Sequence, residues 1–316
     1  MKEYRINKND AGQRLDKYLA KAVPLLPGGL MHKYLRLKRI KCNGKRCEAN
    51  QKLVEGDVLS LYINDEFFEK QDSEKAFLLA KPEIDIVYED EHILLVDKKP
   101  GMVVHEDEIH STDTLINRIQ SYLYKKGEWD PDKENSFVPS LCNRIDRNTG
   151  GIVIAAKTAE ALRILNEKIK VREIDKYYLC LVHGTPKPAK GTLKNYIARN
   201  TDEKRVYITN GKTKDSLTAI TDYKVLKSAR GLSLVECRLH TGRTHQIRAQ
   251  MAHFGHPLAG DTKYGLNKDN KSLPFKHQAL YSYKLIFAFE TDAGCLEYLN
   301  GKTFEVEHIP FADYLA

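Results

Sequence analysis

One acidic residue sits between two arginines in the segment Cys142-Asn143-Arg144-Ile145-Asp146-Arg147-Asn148-Thr149-Gly150-Gly151, which ends in a turn and runs into the apolar stretch Ile152 to Ala156. A carboxylate beside two guanidiniums is expected to stay ionised, because nearby positive charge favours the anion. An ionised, oriented carboxylate can attack an electron-poor carbon or remove a proton from it. The same local pattern also fits an exposed Asp/Arg pair worth at most about 1 kcal/mol, and the segment alone does not separate the two. A second cluster, Thr241-Gly242-Arg243-Thr244-His245-Gln246-Ile247-Arg248, reads as a turn followed by a helix from about Thr244. Ile247, Met251 and Phe254 recur at four and three residues and define the buried stripe of that helix. Arg248 lies beside the stripe, at the edge of the core, where it could grip a buried carboxylate with a two-pronged contact. Arg243, in the turn, suits a phosphate at the helix N-terminus. His245, His253 and His256 have no carboxylate at ligand spacing, and of the six scattered cysteines only Cys42 and Cys47 stand close together, so no metal is expected.

Hydrophobic periodicity supplies the elements that must position these groups. Ile84 to Tyr88, His92 to Asp97, Tyr177 to Val182 and Leu232 to Leu239 read as strands. Thr158 to Lys170 reads as a helix with Leu162, Leu165 and Ile169 on one face. Strands and helices mix without repeats, which makes the fold class α+β. No apolar run approaches bilayer length. The polar start from Met1 to Asp10 is unlike a secretory signal, and reduced thiols fit a cytoplasmic protein.

Net charge divides unevenly. Residues 1–64 hold fourteen Lys+Arg against six Asp+Glu, a balance of +8, which equals the formal charge of the whole chain. The remainder is therefore neutral, and the excess fits a small module that grips a polyanion; a solvated basic face without a partner is the plainer alternative. Within that module Arg14 to Ala22 reads as a helix, Pro24, Pro27, Gly28 and Gly29 break it, and a second helix runs from Leu30 to about Leu37. Lys33, Arg36, Lys38 and Arg39 crowd one side and the end of that second helix. Ile40 to Asn43 reads as a strand entering an Asn-Gly turn, and Val58 to Ile63 as a strand with Leu59, Leu61 and Ile63 on one face. The expected division is 1–64 as the module, 65–83 as a charged linker and 84–316 as the second domain.

Two resemblances sharpen this reading. Arg14-Leu15-Asp16-Lys17-Tyr18-Leu19, Arg39-Ile40-Lys41-Cys42-Asn43-Gly44-Lys45 and Glu55-Gly56-Asp57 resemble the αL-type RNA-binding module of a small-subunit ribosomal protein, with Ile40 and Cys42 where valine is usual. The run Ile86 to Val96, followed by Lys99-Pro100-Gly101-Met102-Val103-Val104-His105, resembles the opening of pseudouridine synthases of the ribosomal large-subunit type. Asn143 to Gly151 corresponds to that family's His-Arg-Leu-Asp-Arg-x-Thr-Ser-Gly signature, Lys176-Tyr177-Tyr178-Leu179 to its basic-x-Tyr strand, and Thr241 to Arg248 with Met251 through Asp261 to its third signature. His277-Gln278-Ala279-Leu280 matches a later one.

The resemblance implies a mixed, mainly antiparallel sheet with flanking helices that isomerises uridine to pseudouridine without a cofactor. It assigns Asp146 as the essential carboxylate, Tyr178 as the ring against the target base, and Arg248 as the partner of the carboxylate. Arg144 and Arg147 become candidates for gripping flanking phosphates or filling the gap left by an unstacked base. Arg243, His245 and the module's Lys33, Arg36, Lys38 and Arg39 are the other expected RNA contacts. The expected partner is structured RNA, ribosomal in preference to transfer RNA, with no obligate protein partner. Asn143 replaces the signature's histidine, Ile145 its leucine and Gly150 its serine, and the second glycine is expected to loosen the turn. A non-catalytic ribosome-assembly factor is the rival reading, and enzymatic turnover discriminates the two.

Overall fold

The computed structural model describes residues 1–69, 72–105, 112–200, 203, 205–209, 211–265 and 270–315. A small antiparallel sheet comes first. Its strands β1 (Lys2–Arg5), β2 (Ile40–Cys42), β3 (Lys45–Arg46) and β4 (Val58–Leu61) lie in the order β1-β4-β2-β3. Helices α1 (Leu15–Ala22) and α2 (Gly28–Arg36) pack on it. Leu15, Tyr18 and Leu19 of α1 and Met31, Tyr34 and Leu35 of α2 meet Leu59 and Leu61 in one core. Asn43 and Gly44 both take positive φ, at 50° and 73°, as the two-residue turn between paired Cys42 and Lys45 requires. Gly28 and Gly29, read from sequence as breakers, form the first turn of α2 behind Pro27. Amides there need no intrahelical acceptor, so the poor helix formers are tolerated.

This module is fastened to the rest of the chain by polar side chains. Asp10 is fully buried and accepts from Ser136 Oγ at 2.6 Å and Asn135 Nδ2 at 2.7 Å. Asn9 donates to Glu134 at 2.7 Å and accepts from the amide of Ala159 at 3.1 Å. Residues 65–83 carry two short 3₁₀ helices, Asp65–Phe68 and Asp72–Leu79, and Phe77 is buried 5.1 Å from the Trp129 ring. Residues 70 and 71 of that segment lie outside the described set.

The large sheet is built from β5 (Ile86–Glu89), β6 (Ile93–Lys98), β7 (Ser140–Leu141), β8 (Gly150–Ala156), β9 (Ile174–His183), β10 (Lys190–Asn200), β11 (Arg205–Thr209), β12 (Leu217–Ala229), β13 (Leu232–Leu239), β14 (Leu280–Phe287) and β15 (Thr303–Glu305). Its main path runs β11-β10-β12-β13-β9-β14-β8-β6-β5, with β15 on β14 and β7 on β8. Every pairing is antiparallel except β14 with β8. Both faces of the middle strands are buried. Leu94, Val96, Val153 and Ala155 face a core shared with α3 (Leu115–Lys126) and α5 (Gln246–His253). Their neighbours Ile93, Leu95, Ile152 and Ile154 face α4 (Ala159–Val171) and the 3₁₀ helix Gly294–Leu299. The alternation follows from the period-two geometry of a strand. No helix among the described residues is long and apolar enough to cross a membrane.

Candidate active site

The Asp146 loop leaves β7 and returns to the sheet at β8, where the parallel β8–β14 seam opens the centre of the molecule. Two glycines make that seam possible. A Cβ on Gly151, whose φ is 115°, would meet the backbone oxygen of Ser282 at 2.2 Å, and a Cβ on Gly150 would meet the Tyr281 ring at 2.3 Å. Gly150 therefore does not loosen the turn: it is a buried strand residue whose missing side chain is replaced by an aromatic ring. Asn143 anchors the start of the loop, accepting the amide of Ile154 at 2.8 Å on its Oδ1, while its buried Nδ2 has no partner among the described residues.

The loop, β9, the end of β13 and the start of α5 enclose a cleft of about 510 Å³. Asp146 sits in its wall with its side chain 26% exposed. Its Oδ2 accepts from Arg248 Nη1 at 2.9 Å. Arg248 turns its other two nitrogens to Asp261, Nε to Oδ2 at 2.7 Å and Nη2 to Oδ1 at 3.0 Å. Asp261 is fully buried, and the amides of Lys263 and Tyr264 also donate to its Oδ1, at 2.9 and 3.2 Å. Burial pushes the Asp261 carboxyl up and disfavours the Arg248 charge, but their two-pronged contact prevails, lowering the Asp261 pKa and raising that of Arg248. The partner of the Asp146 carboxylate is thus Arg248, from a distant helix, and not its sequence neighbours. Arg144 and Arg147 are exposed, no ion pair joins either to Asp146 among the described residues, and Arg147 Nε donates to Gly101 O at 3.1 Å.

Tyr178 is buried in the same cleft, pushed up to about 12 by burial, and pairs in register with Ser282 and Cys237. Helix α5 starts at Gln246, two residues later than the sequence pattern indicates, because His245 before it takes a left-handed conformation, φ 52° and ψ 23°; the Gln246 carboxamide closes the preceding turn, accepting from the Arg243 amide at 3.0 Å and Thr241 Oγ1 at 2.8 Å. Ile247 and Met251 are buried as the stripe demands, and Phe254 is half-buried just past the helix end. Arg243 lines the cleft but ties its Nε to Thr218 O at 3.1 Å. His245, with its side chain 14% exposed, faces Asp146 from 3.7 Å. Lys33, Arg36, Lys38 and Arg39 are exposed on α2 and the turn after it, outside the cleft lining.

Several site residues had no role in the sequence reading. Asp261 belongs to the third signature's final Gly-Asp pair, which is where its importance could have been noticed. Lys98 carried no signal. It is 1% exposed, and its Nζ donates to the carbonyls of Lys99, Met102 and Arg147 at 3.1, 2.9 and 2.9 Å, bracing the underside of the Asp146 loop. Burial pulls this lysine down to about 8, with Asp146 and Asp97 acting against that. Arg144, Arg172 and Lys176 add positive charge to the cleft wall, whereas Arg238 is forked onto Asp175 at 2.8 to 3.2 Å. The arrangement joins one oriented carboxylate, one buried aromatic ring and a basic rim, which suits an anionic polymer whose reacting unit is planar.

Comparison with known proteins is consistent across the chain. The family described as RNA pseudouridylate synthase matches residues 92–253. An uncharacterized RNA pseudouridine synthase of Mycoplasma genitalium is 32% identical, covering 99% of this chain and 98% of its own. Ribosomal large subunit pseudouridine synthase D of Escherichia coli is 32% identical, covering 82% of this chain and 75% of its own. The solved structure of human RNA pseudouridylate synthase domain containing 1 superposes with a TM-score of 0.54 at 25% identity, covering 67% of this chain and 81% of that one.

Proposed function

The chain belongs to the RNA pseudouridine synthase family, and from that premise we propose that Asp146 is the carboxylate that opens the glycosidic bond of a uridine in large-subunit ribosomal RNA. The single observation that carries this reading is the state of the carboxylate. Its Oδ2 is held by Arg248, itself clamped to buried Asp261, while Oδ1 has no hydrogen-bond donor among the described residues, and the residue lines the cleft. A fixed anion with one free oxygen is suited to attack or to proton removal.

Two routes use that oxygen. Attack on the sugar C1′ expels uracil with the N1–C1′ electron pair and leaves an ester; the rotated uracil then joins C5 to C1′, displaces the carboxylate and loses its C5 proton. Alternatively the carboxylate removes the C2′ proton as uracil leaves, giving a glycal to which C5 adds before the proton returns to C2′. In both, Tyr178 supports the detached base with its ring, and Arg144 and Arg147 hold phosphates beside the unstacked nucleotide. Ribosomal RNA is favoured by the name of the Escherichia coli relative and by the +8 charge of residues 1–64, which form an RNA-binding module with exposed Lys33, Arg36, Lys38 and Arg39.

Formation of the new C5 bond expels the C5 hydrogen, so large-subunit RNA transcribed with tritium at uracil C5 reports turnover directly. Wild-type protein is expected to release tritium and Asp146→Ala to release none. Release by Asp146→Ala would remove the carboxylate from the mechanism; release only from transfer RNA would move the substrate.

A further inference from the structure

His245 of the third signature turn faces Asp146, and its ring is held from behind. Its Nδ1 lies 2.9 Å from the hydroxyl of Tyr264, and that oxygen accepts the backbone amide of Val206 at 3.0 Å. We propose that Tyr264 and His245 form a neutral positioning pair for the catalytic carboxylate: Tyr264 donates its hydroxyl proton to Nδ1, which leaves the imidazole proton on Nε2, directed at Oδ2 of Asp146. The inference rests on the reading of Asp146 given above.

The tautomer follows from donor counting. The Tyr264 hydroxyl has one hydrogen, the Val206 amide already supplies a donor to its oxygen, and Nδ1 is the acceptor within reach among the described residues. A neutral imidazole that accepts at Nδ1 must carry its proton at Nε2. Burial keeps the ring neutral, bringing it down to about 4; Asp146 and Asp261 act against this, while Arg248 and Lys263 reinforce it. Arg248 and Arg205 also lie against the Tyr264 ring, each 5.2 Å from its centroid.

The backbone shows how firmly the ring is aimed. His245 caps α5 in the left-handed region, φ 52° and ψ 23°, a conformation costly for a residue with a side chain and retained where the surroundings over-determine it. Nε2 stands 3.7 Å from Oδ2, longer than a hydrogen bond, and such catalytic contacts tighten when substrate closes the site. Arg248 and His245 both address Oδ2, so the pair leaves Oδ1 as the single reactive oxygen. A neutral donor orients the anion without adding a second full charge that would dull its reactivity. The expected role of His245 as an RNA contact gives way to this one, since both ring nitrogens face protein atoms.

The test combines turnover with a direct view of the tautomer. With the tritiated large-subunit transcript, His245→Leu is expected to lower kcat about 100-fold with KM within about twofold, and His245→Gln, which returns a donor near Nε2, to recover most of that loss. Tyr264→Phe removes the hydrogen bond that fixes Nδ1 as the acceptor, so kcat falls and the neutral ring is expected to populate both the Nδ1–H and Nε2–H tautomers. Long-range ¹H–¹⁵N spectra of histidine-labelled full-length protein are expected to show His245, identified by its loss in His245→Gln, with a bare Nδ1 and protonated Nε2 from about pH 8 to about pH 5. A proton on Nδ1, titration near pH 6.5 in the wild type, or losses confined to KM and salt dependence would each overturn the pair. Tritium release by Asp146→Asn would instead overturn the reading of Asp146, and the spectra would still decide the tautomer.

Discussion

Arg248 is shared between two carboxylates with unequal claims. Its fork belongs to Asp261, which is fully buried, and a single Nη1 reaches Asp146. Removing the arginine therefore has two separable consequences. Arg248→Ala strands a buried anion and is expected to lower stability by about 3–5 kcal/mol in denaturant unfolding. Arg248→Lys keeps the charge but loses the planar fork, so the protein should stay folded while tritium release falls by about 100-fold. Equal activity of the lysine variant would show that charge alone holds Asp146. Asn143 illustrates the opposite kind of site residue. Where the signature has histidine, its carboxamide accepts the Ile154 amide and ties the loop to β8.

Two elements set the loop's position, the β8–β14 seam and the end of β6. At the seam, the Tyr281 ring fills the place of a side chain on Gly150, and its hydroxyl donates to Asp97 at 2.7 Å. Gly150→Ala is expected to lose about 1–3 kcal/mol through overpacking. In a double-mutant cycle with Tyr281→Leu, part of that loss should return as a coupling of at least about 1 kcal/mol; additive losses would exonerate the contact. At β6, Lys98 gives a pH signature. Its folded pKa is lowered from 10.5 to about 8, so between those values the unfolded chain holds the extra proton. Stability from this group therefore rises as pH climbs from about 8 towards 10.5. Across that window the slope of unfolding free energy against pH should be more positive in the wild type than in Lys98→Met.

At the scale of the whole molecule, charge and chemistry are segregated. The chain's excess charge lies in residues 1–64, while the cleft is built by the large sheet. Neutralising Lys33, Arg36, Lys38 and Arg39 together to glutamine is expected to reduce the slope of log affinity against log salt by roughly 3 and to weaken RNA binding, with the fold intact because all four are exposed. An unchanged slope would place the RNA elsewhere. The polar seam around Asp10, Asn9 and Glu134 ties that module to the large domain, so its basic face keeps a defined direction relative to the cleft.

The local patterns were legible because they depend on near neighbours. Period-two and helical spacing marked β6, β8, β9, β13 and α4 to within a few residues, and Asn43-Gly44 marked its turn, since side-chain direction along an element follows from backbone geometry. Strand β1 was not, being four residues long with one buried side chain, and Gly28-Gly29 misled because a first helical turn forgives glycine. The motifs identified Asp146, Tyr178 and Arg248 as the residues to bring together. The resemblance also put Arg248 forward as the partner of Asp146; the geometry of that contact, and what stands behind it, came only from the tertiary structure. Sequence adjacency alone put Arg144 and Arg147 beside Asp146, but the contact is made by Arg248, 102 positions on, the residue that the third signature put forward. Asp261, Lys98 and His245 with Tyr264 joined the site because segments far apart in sequence meet around the Asp146 loop, which no local pattern records.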